Sequence, residues 1–420
     1  MIIQRNIIPQ IENHLHQPEI TLITGARQVG KSTIMHILQD KLKDEGYATL
    51  FLNLDFETDY KYFASQQTLL KKISLEVGGE KIFVFIDEIQ RKENAGLFLK
   101  GIYDKKRNIK IIASGSGSLE LKEKIHESLA GRKRIFEIMP VRFDEFVNYS
   151  TGYKYKDKLQ DYFDVERDNT FNLLKEYLMF GGYPAIVTSK TAEEKILIMN
   201  EIFSSYVQKD ISWLLNLERP DSFVKLIKWL SHTTGSGINY STCAKDVGLS
   251  IPTLKKYLWY AEHTFIIKSI SPFYKNKRKE ITKSPVIYFT DTGLRNYAFG
   301  SYGNDIALEN TGQAFESFIF TILYDLLKNT SHNIHYWRTT GMAEVDFIIN
   351  AGLDIIPIEA KHKYIKDEKI SRSFRSFIEK YKPAKAYIIN LNYRNSIKVN
   401  NTKVNFIPFY DLFFEHILHQ

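Results

Sequence analysis

Cysteine is nearly missing from this chain: Cys243 stands alone among 420 residues. That excludes an internal disulfide framework and any zinc site built from several cysteines of one chain. Long apolar runs are missing too. None approaches the ~18–20 residues of a membrane-spanning helix, so no membrane partner is expected. The opening Met-Ile-Ile-Gln-Arg-Asn lacks the basic-then-apolar layout of a signal peptide, which makes a cytoplasmic protein the expectation. No internal repeat or low-complexity tract is found. Charge of one sign is only mildly in excess, 57 Lys and Arg against 49 Asp and Glu for a net +8. Such a balance permits nucleic-acid contact without demanding it. The rest is ordinary: 44% hydrophobic and 25% charged residues supply several globular cores, and the length suggests about two to four domains.

What the chain does have is a strand, a glycine-bounded loop and a helix in direct succession. Ile20 to Ile23 is a short apolar strand that runs into Gly25-Ala26-Arg27-Gln28-Val29-Gly30-Lys31-Ser32, and a helical pattern begins at Thr33. The glycines let the backbone wrap a phosphate with its N–H groups turned inward. Lys31 brings a point charge to the β- and γ-phosphates, Ser32 a hydroxyl to Mg²⁺, and the helix its positive end. The stretch from Gly25 to Thr33 is therefore expected to hold ATP or GTP, against the bland alternative of a turn that binds nothing.

Downstream, the unbroken apolar run Ile82 to Ile86 ends in Asp87-Glu88-Ile89-Gln90. This reads as a buried parallel strand delivering carboxylates at its C-terminal end, where α/β ligands bind. Asp87 is assigned to Mg²⁺ and Glu88 to the attacking water. A further strand, Ile109 to Ala113, ends in Ser114-Gly-Ser-Gly-Ser118. There Ser114 or Ser116 is placed to touch the γ-phosphate or the water. An arginine near the last core strand stabilises transferring charge, in its own chain or in a neighbour. Arg132 is the candidate and Arg134 the reserve, with an exposed basic turn or an ion pair as the competing reading.

In these residues the chain resembles the large group of prokaryotic AAA+-type ATPases that carry an uncharacterised C-terminal domain. The matches are Gly-Ala-Arg-Gln-Val-Gly-Lys-Ser-Thr at 25–33, Phe-Ile-Asp-Glu-Ile-Gln at 85–90 and Leu-Ala-Gly-Arg at 129–132. Phe-Gly-Gly-Tyr-Pro at 180–184, Tyr206 to Asp210 and Asp-Thr-Gly-Leu at 291–294 extend it over nearly the whole chain. The resemblance implies ATP rather than GTP, and the serine at the tip of the Ile109–Ala113 strand takes the place of the first sensor. Residues 1–150 are thus expected to form the ATPase core.

Residues 150–168 read as a polar connection, and Phe171 to Met179 and Thr191 to Leu214 as helices. Residues 151–218 look like a helical lid. Over 219–300 the pattern is a winged helix-turn-helix. Ser241 to Val247 and Ile251 to Ala261 flank a tight turn, and strands at Phe265–Ser271 and Val286–Thr290 are joined by Lys275-Asn-Lys-Arg-Lys279 with Lys283 behind. A helix of this kind enters a groove while a basic wing, residues 275–283, meets backbone phosphates of DNA or RNA. Such modules also serve as protein contacts and ATPase linkers, and the second helix shows Thr253, Lys255, Lys256 and Trp259 rather than an arginine-rich face.

Residues 301–420 show a helix from Gly312 to about Leu327, strands at Ile334–Arg338, Glu344–Ile349 and Ile355–Lys361, a helix near 366–381 and a strand at Ala386–Asn390. This αβββαβ order resembles the PD-(D/E)xK nuclease fold. Glu316, Asp346 and Glu359 would be its metal ligands and Lys361, two residues on and sharing Glu359's strand face, would position the water. The plain alternative is a hairpin with alternating charges and an Asp346–Lys361 surface pair. Pro357, just before Glu359, donates no ladder hydrogen bond and argues against a central strand.

The fold class is α/β multidomain. The expected function is an ATPase with ATP and Mg²⁺ as cofactors, coupling nucleotide state to nucleic-acid binding or cleavage. A homo-oligomer is a candidate state, with Arg132 acting across subunits. The rival readings are a nucleotide-controlled switch on a protein partner and a nuclease in which ATP is only regulatory.

Overall fold

The computed structural model describes residues 1–77, 80–105, 108–116, 128–205, 220–274, 284–304, 311–352 and 354–414. The chain folds into two compact units. Among the described residues the first comprises Met1–Val141 with Trp259–Ile266, and the second the others from Arg142 onward.

The first unit is a parallel sheet of β1 (Ile20–Gly25), β2 (Ala48–Asn53), β3 (Ile82–Asp87), β4 (Ile109–Ser116) and β5 (Lys133–Ile138), in the order β2-β3-β4-β1-β5. Every residue of β1 and β3 is buried, as expected of parallel strands covered on both faces. The cover includes α1 (Ile8–Leu15), α2 (Lys31–Asp44), α3 (Gln66–Glu76) and α4 (Ala95–Tyr103). On one face Leu69, Leu70, Ile73, Phe98, Leu99 and Ile102 of α3 and α4 join Leu52, Val84 and Ile111 in a single core. At the far end of the sheet from the β1–α2 turn, the Lys110 ammonium donates to the carbonyls of His14 (3.0 Å), Gln17 (2.9 Å) and Glu19. These bonds tie down the C-terminal end of α1, and burial pushes the ammonium down to about 7.

The second unit begins with α5 (Phe143–Ser150), α6 (Leu159–Val165), α7 (Arg167–Phe180) and α8 (Ala192–Ile202). The stretch expected to be a polar connection therefore contains a helix, α6. Its Leu159, Tyr162 and Phe163 are buried; Phe163 stacks on Tyr410, whose hydroxyl donates to Asp164 at 2.9 Å across 246 residues of sequence, and contacts that distant leave no local periodicity to read. The expected Thr191–Leu214 helix is described as far as Ser205, and its remainder, like Tyr206 to Asp210, lies outside the described residues.

Next come α9 (Pro220–Thr233), α10 (Tyr240–Val247), α11 (Ile251–His263), and the antiparallel pair β6 (Ile267–Ile270) and β7 (Val286–Phe289). Gly248, at φ 71°, closes α10, and the Ser250 hydroxyl accepts the Thr253 amide at 3.3 Å to open α11. The basic tract 275–283 lies outside the described residues.

Two sequence motifs meet at α12 (Thr292–Phe299). Its N-cap, Asp291, accepts amides from Leu294 (2.8 Å) and Gly182 (2.7 Å). Thr292 and Asn296 donate to carbonyls of Tyr177, Leu178 and Met179 at the end of α7. A Cβ on Gly181 would lie 2.3 Å from the Asp291 carboxylate, and one on Gly293 2.0 Å from the Phe180 carbonyl. The Phe-Gly-Gly and Asp-Thr-Gly stretches are two halves of one helix joint. Burial raises the Asp291 carboxyl to about 6, with the amides of Gly182, Leu294 and Gly293 opposing.

After α13 (Thr311–Leu327), six strands form a mixed sheet in the order β12-β13-β11-β10-β9-β8. They are β8 (Asn333–Arg338), β9 (Glu344–Ala351), β10 (Asp354–Ala360), β11 (Lys385–Asn390), β12 (Asn395–Val399) and β13 (Thr402–Pro408), with α14 (Arg372–Tyr381) between β10 and β11. α14 packs Phe374, Phe377 and Ile378 with Trp337, Ile348, Ile388 and Phe406. Strand β10 is interior despite Pro357. The Lys361 amide donates to Ile389 of β11, so odd-numbered amides face β11, whose pairing begins only at Ile358; the proline's missing donor falls before that ladder starts. Among the described residues no helix is long and apolar enough to cross a membrane.

Candidate active site

The turn from β1 into α2 is shaped by close approach. A Cβ on Gly25 would lie 2.4 Å from the Ile138 carbonyl of β5. Gly30 adopts φ 94° and Gln28 φ 62°, so the loop folds back before α2 begins at Lys31. Ala26 and Val29 are buried beneath it, while Arg27, Gln28, Ser32 and Thr33 are exposed. Lys31 is only 5% exposed, and its ammonium donates to the loop's own carbonyls, Gly25 at 3.2 Å and Ala26 at 2.7 Å. Burial lowers it to about 8, with Glu88 and Asp87 opposing. A desolvated cation held by its own loop's carbonyls is arranged to gain from an incoming anion.

The ends of β3 and β4 complete the arrangement. The Ser32 hydroxyl donates to Asp87 Oδ2 at 2.6 Å, and the Ser114 hydroxyl donates to Asp87 Oδ1. The Glu88 amide approaches the Ser114 oxygen at 3.4 Å. Glu88 itself sits in the left-handed region, φ 56° and ψ 40°, an unusual backbone for a residue with a Cβ and one that clusters at functional sites. Its carboxylate accepts a bond from the Gln90 amide. Burial raises the Glu88 carboxyl, with Lys31 opposing, which moves it toward the range of a general base. Ser32 and Asp87 present adjoining hard oxygens on one side of the buried ammonium, a donor set suited to Mg²⁺. Gln90 has no role in the motif reading; its spacing of two from Glu88 across a tight turn is the signal that marks it as the carboxylate's partner.

Arg132 is placed elsewhere. Its carbonyl accepts the Ile20 amide at 2.8 Å and its guanidinium pairs with Asp104 at 2.8 Å, both at the start of β1 and β5. Arg134, opposite Thr21, lies over the Phe136 ring. The phosphate loop is at the other end of those strands, up to roughly 20 Å away. The expectation that either arginine serves its own chain's nucleotide is therefore corrected: parallel strands carry their ends apart, and these residues precede β5 or open it.

In the second unit Glu316, Asp346 and Glu359 are each tied to protein groups. Tyr288 donates its hydroxyl to Glu316 Oε1 at 2.5 Å. Asp346 accepts the Ala360 amide at 2.7 Å. Glu359 accepts Lys361 Nζ at 2.5 Å and the Ser371 hydroxyl at 3.2 Å. Burial raises Glu316, and Asp346 raises it further. Burial also raises Asp346, against the Ala360 amide. Lys361 pairs with Glu359 rather than in the surface Asp346–Lys361 contact of the plain alternative. Among the described residues no three His, Cys, Asp or Glu side chains are grouped so as to hold a metal. The expected three-carboxylate metal set is not assembled, because Glu359 and Glu316 point their oxygens at Lys361, Ser371 and Tyr288. Tyr288 and Ser371 come from separate elements, and no spacing rule links them in sequence to these acids.

Comparison with known proteins follows the same division. Residues 17–147 match the family model described as AAA domain. Two models described as domains of unknown function match residues 171–305 and 311–412. An uncharacterized protein of Haemophilus influenzae is 29% identical over 329 residues, covering 74% of this chain and 77% of its own. One of Methanocaldococcus jannaschii is 25% identical over 413 residues, covering 92% and 84%. Among solved structures, AMPPCP-bound DnaA from Aquifex aeolicus aligns at 12% identity over 61% of this chain and 86% of that one, with a TM-score of 0.28.

Proposed function

We propose that the protein is an ATP-hydrolysing ATPase whose nucleotide state controls a nucleic-acid-binding second unit. The observation that carries the enzymatic part is the contact of Ser32 with Asp87 beside Ser114, the buried Lys31 and Glu88. In this reading Lys31 turns from the loop carbonyls to the β- and γ-phosphates, and the backbone from Gly25 to Thr33 cradles them. Ser32 and Asp87 hold Mg²⁺, which supplies charge neutralisation when bound. Glu88 leaves Gln90 to orient and deprotonate water, and Ser114 keeps Asp87 in place while facing the γ-phosphate. Arg132 is retained only as a group acting on a neighbouring subunit.

The division into an ATPase core at 1–150, a helical lid at 151–218, a winged helix at 219–300 and a nuclease-like domain at 301–420 is part of the same proposal. Support for nucleic acid comes from α10, the turn at Gly248 and α11 with exposed Lys255 and Lys256. For cleavage, Asp346 is the residue to test, but no cleavage step is derived from carboxylates arranged as these are.

Phosphate release and ATP binding by wild type, Lys31→Ala and Glu88→Gln decide the enzymatic part. Lys31→Ala is expected to lose binding, and Glu88→Gln to bind ATP without turning it over. Turnover by Glu88→Gln at the wild-type rate would remove Glu88 from the mechanism. DNA and RNA binding measured against salt, with and without ATP, tests the coupling; a protein-partner switch predicts no salt-dependent binding.

A further inference from the structure

The second unit holds a groove of about 510 Å³ walled by α8, α9 and α12, within the ~300–1,000 Å³ of small-molecule sites. Its chemistry is one-sided: Lys228 and His232, one turn apart on α9, line it, and among the described residues no acid does. Lys228 forms no ion pair among the described residues. Across the groove, Asn200 and Ser204 line the wall from the α8 side. The Asn200 carboxamide oxygen accepts the Tyr297 hydroxyl at 2.6 Å, which leaves its NH₂ group as a donor. Between the two polar ends lie aromatic rings. Phe203 and Tyr297 are 5.1 Å apart, and Phe299 is 4.3 Å from the His232 ring.

We propose that this groove binds a nucleoside monophosphate unit, with phosphate on Lys228 and His232 and the base against the aromatic rings. Lys228 and His232 select an anion, and the half-buried Tyr297 and Phe299 rings in the groove wall accept a planar body regardless of base identity. Donors at both ends fit a ligand that is polar at both ends, which a simple aromatic acid is not. The unit arrives either as a free nucleotide or as one residue of a single strand.

The test uses the full chain with its phosphate loop saturated by AMPPNP and Mg²⁺. AMP and, separately, a 5′-phosphorylated pentathymidylate are titrated by calorimetry into wild type and Lys228→Glu. Lys228 is exposed, so the variant is expected to melt as wild type does. At least one probe binds, and Lys228→Glu weakens it by about tenfold or more, the effect of removing a charge-assisted hydrogen bond. Binding of AMP identifies a free nucleotide as the source; binding of the pentamer alone identifies a strand. No saturable binding of either probe, or affinities that Lys228→Glu leaves within about twofold, overturns the proposal.

Discussion

Both units bury acids, and they treat them differently. In the first, Asp87 is held by two hydroxyls, Ser32 and Ser114, and Glu88 by an amide. Neutral donors of this kind position a carboxylate without neutralising it, so it remains available to a cation or a water. In the second, Glu359 is neutralised by Lys361, while Glu316 is raised by burial and by Asp346, and Asp346 by burial and by Glu359. Asp291 is a third case, a carboxylate wrapped by backbone amides at a helix joint. Burial alone therefore does not mark a catalytic acid; the charge and exchangeability of its partners do.

The contrast breaks first at Glu88. Glu88→Gln keeps the hydrogen-bonding shape and removes the base, and kcat is expected to fall by about 10²–10⁴ with ATP affinity retained. Lys361→Ala, the matching removal of a charged partner in the second unit, leaves ATP turnover at the wild-type level. Equal losses in steady-state assays of the two variants would erase the distinction drawn between the sites.

The next effect is structural. Gly181→Ala places a Cβ 2.3 Å from Asp291 in a backbone at φ 79°, where strain and overpacking together cost about 2–4 kcal/mol. Urea denaturation monitors it. A change within about 0.5 kcal/mol would mean that the joint between α7 and α12 yields easily and that Asp291 is not fixed by it.

A smaller effect follows from Glu316 and Asp346. Both carboxyls are raised in the folded state by burial, so their contribution to stability is fully present below the unfolded carboxylate range, ~4. It is lost as pH rises through the raised folded values. The melting temperature of wild type is expected to drop between pH 5 and pH 8 by more than that of Glu316→Gln with Asp346→Asn. If Mg²⁺ restores the wild-type value at pH 8 but leaves the double variant unchanged, these acids bind metal after all. Parallel pH profiles for the two proteins would show that the raised carboxyls do not govern stability.

How much of this was legible follows from the range of the interactions. The phosphate loop, the strand into Asp87-Glu88 and the Ser114 strand are local patterns, and the parallel sheet places their C-terminal ends together. The strands of the last domain were also readable, because β-branched runs and their alternation are local. What the sequence did not reveal came from distant pairings. Helix α6 is recognisable only through Tyr410, and the joint of Gly181 with Asp291 only once α7 and α12 are docked. The ties of Tyr288 to Glu316 and Ser371 to Glu359 likewise join separate elements. The end of the sheet that Arg132 occupies was hidden for a related reason: proximity in sequence to a core strand says nothing about which end a residue takes.

Arg132 gives the smallest expected effect and the sharpest use of the two-ended sheet. Its pair with Asp104 is partly exposed, at 33% and 43% for the two side chains, so Arg132→Ala costs no more than about 0.5 kcal/mol. At high dilution its ATPase rate per subunit matches wild type, since the guanidinium cannot reach its own chain's loop. If subunits assemble so that Arg132 meets a neighbour's nucleotide, the wild-type rate per subunit rises with protein concentration and the variant's stays flat. Rates that rise equally in both would assign the oligomer's effect to another residue. A variant already slow at high dilution would mean that the start of β5 communicates with the phosphate loop through the strand itself.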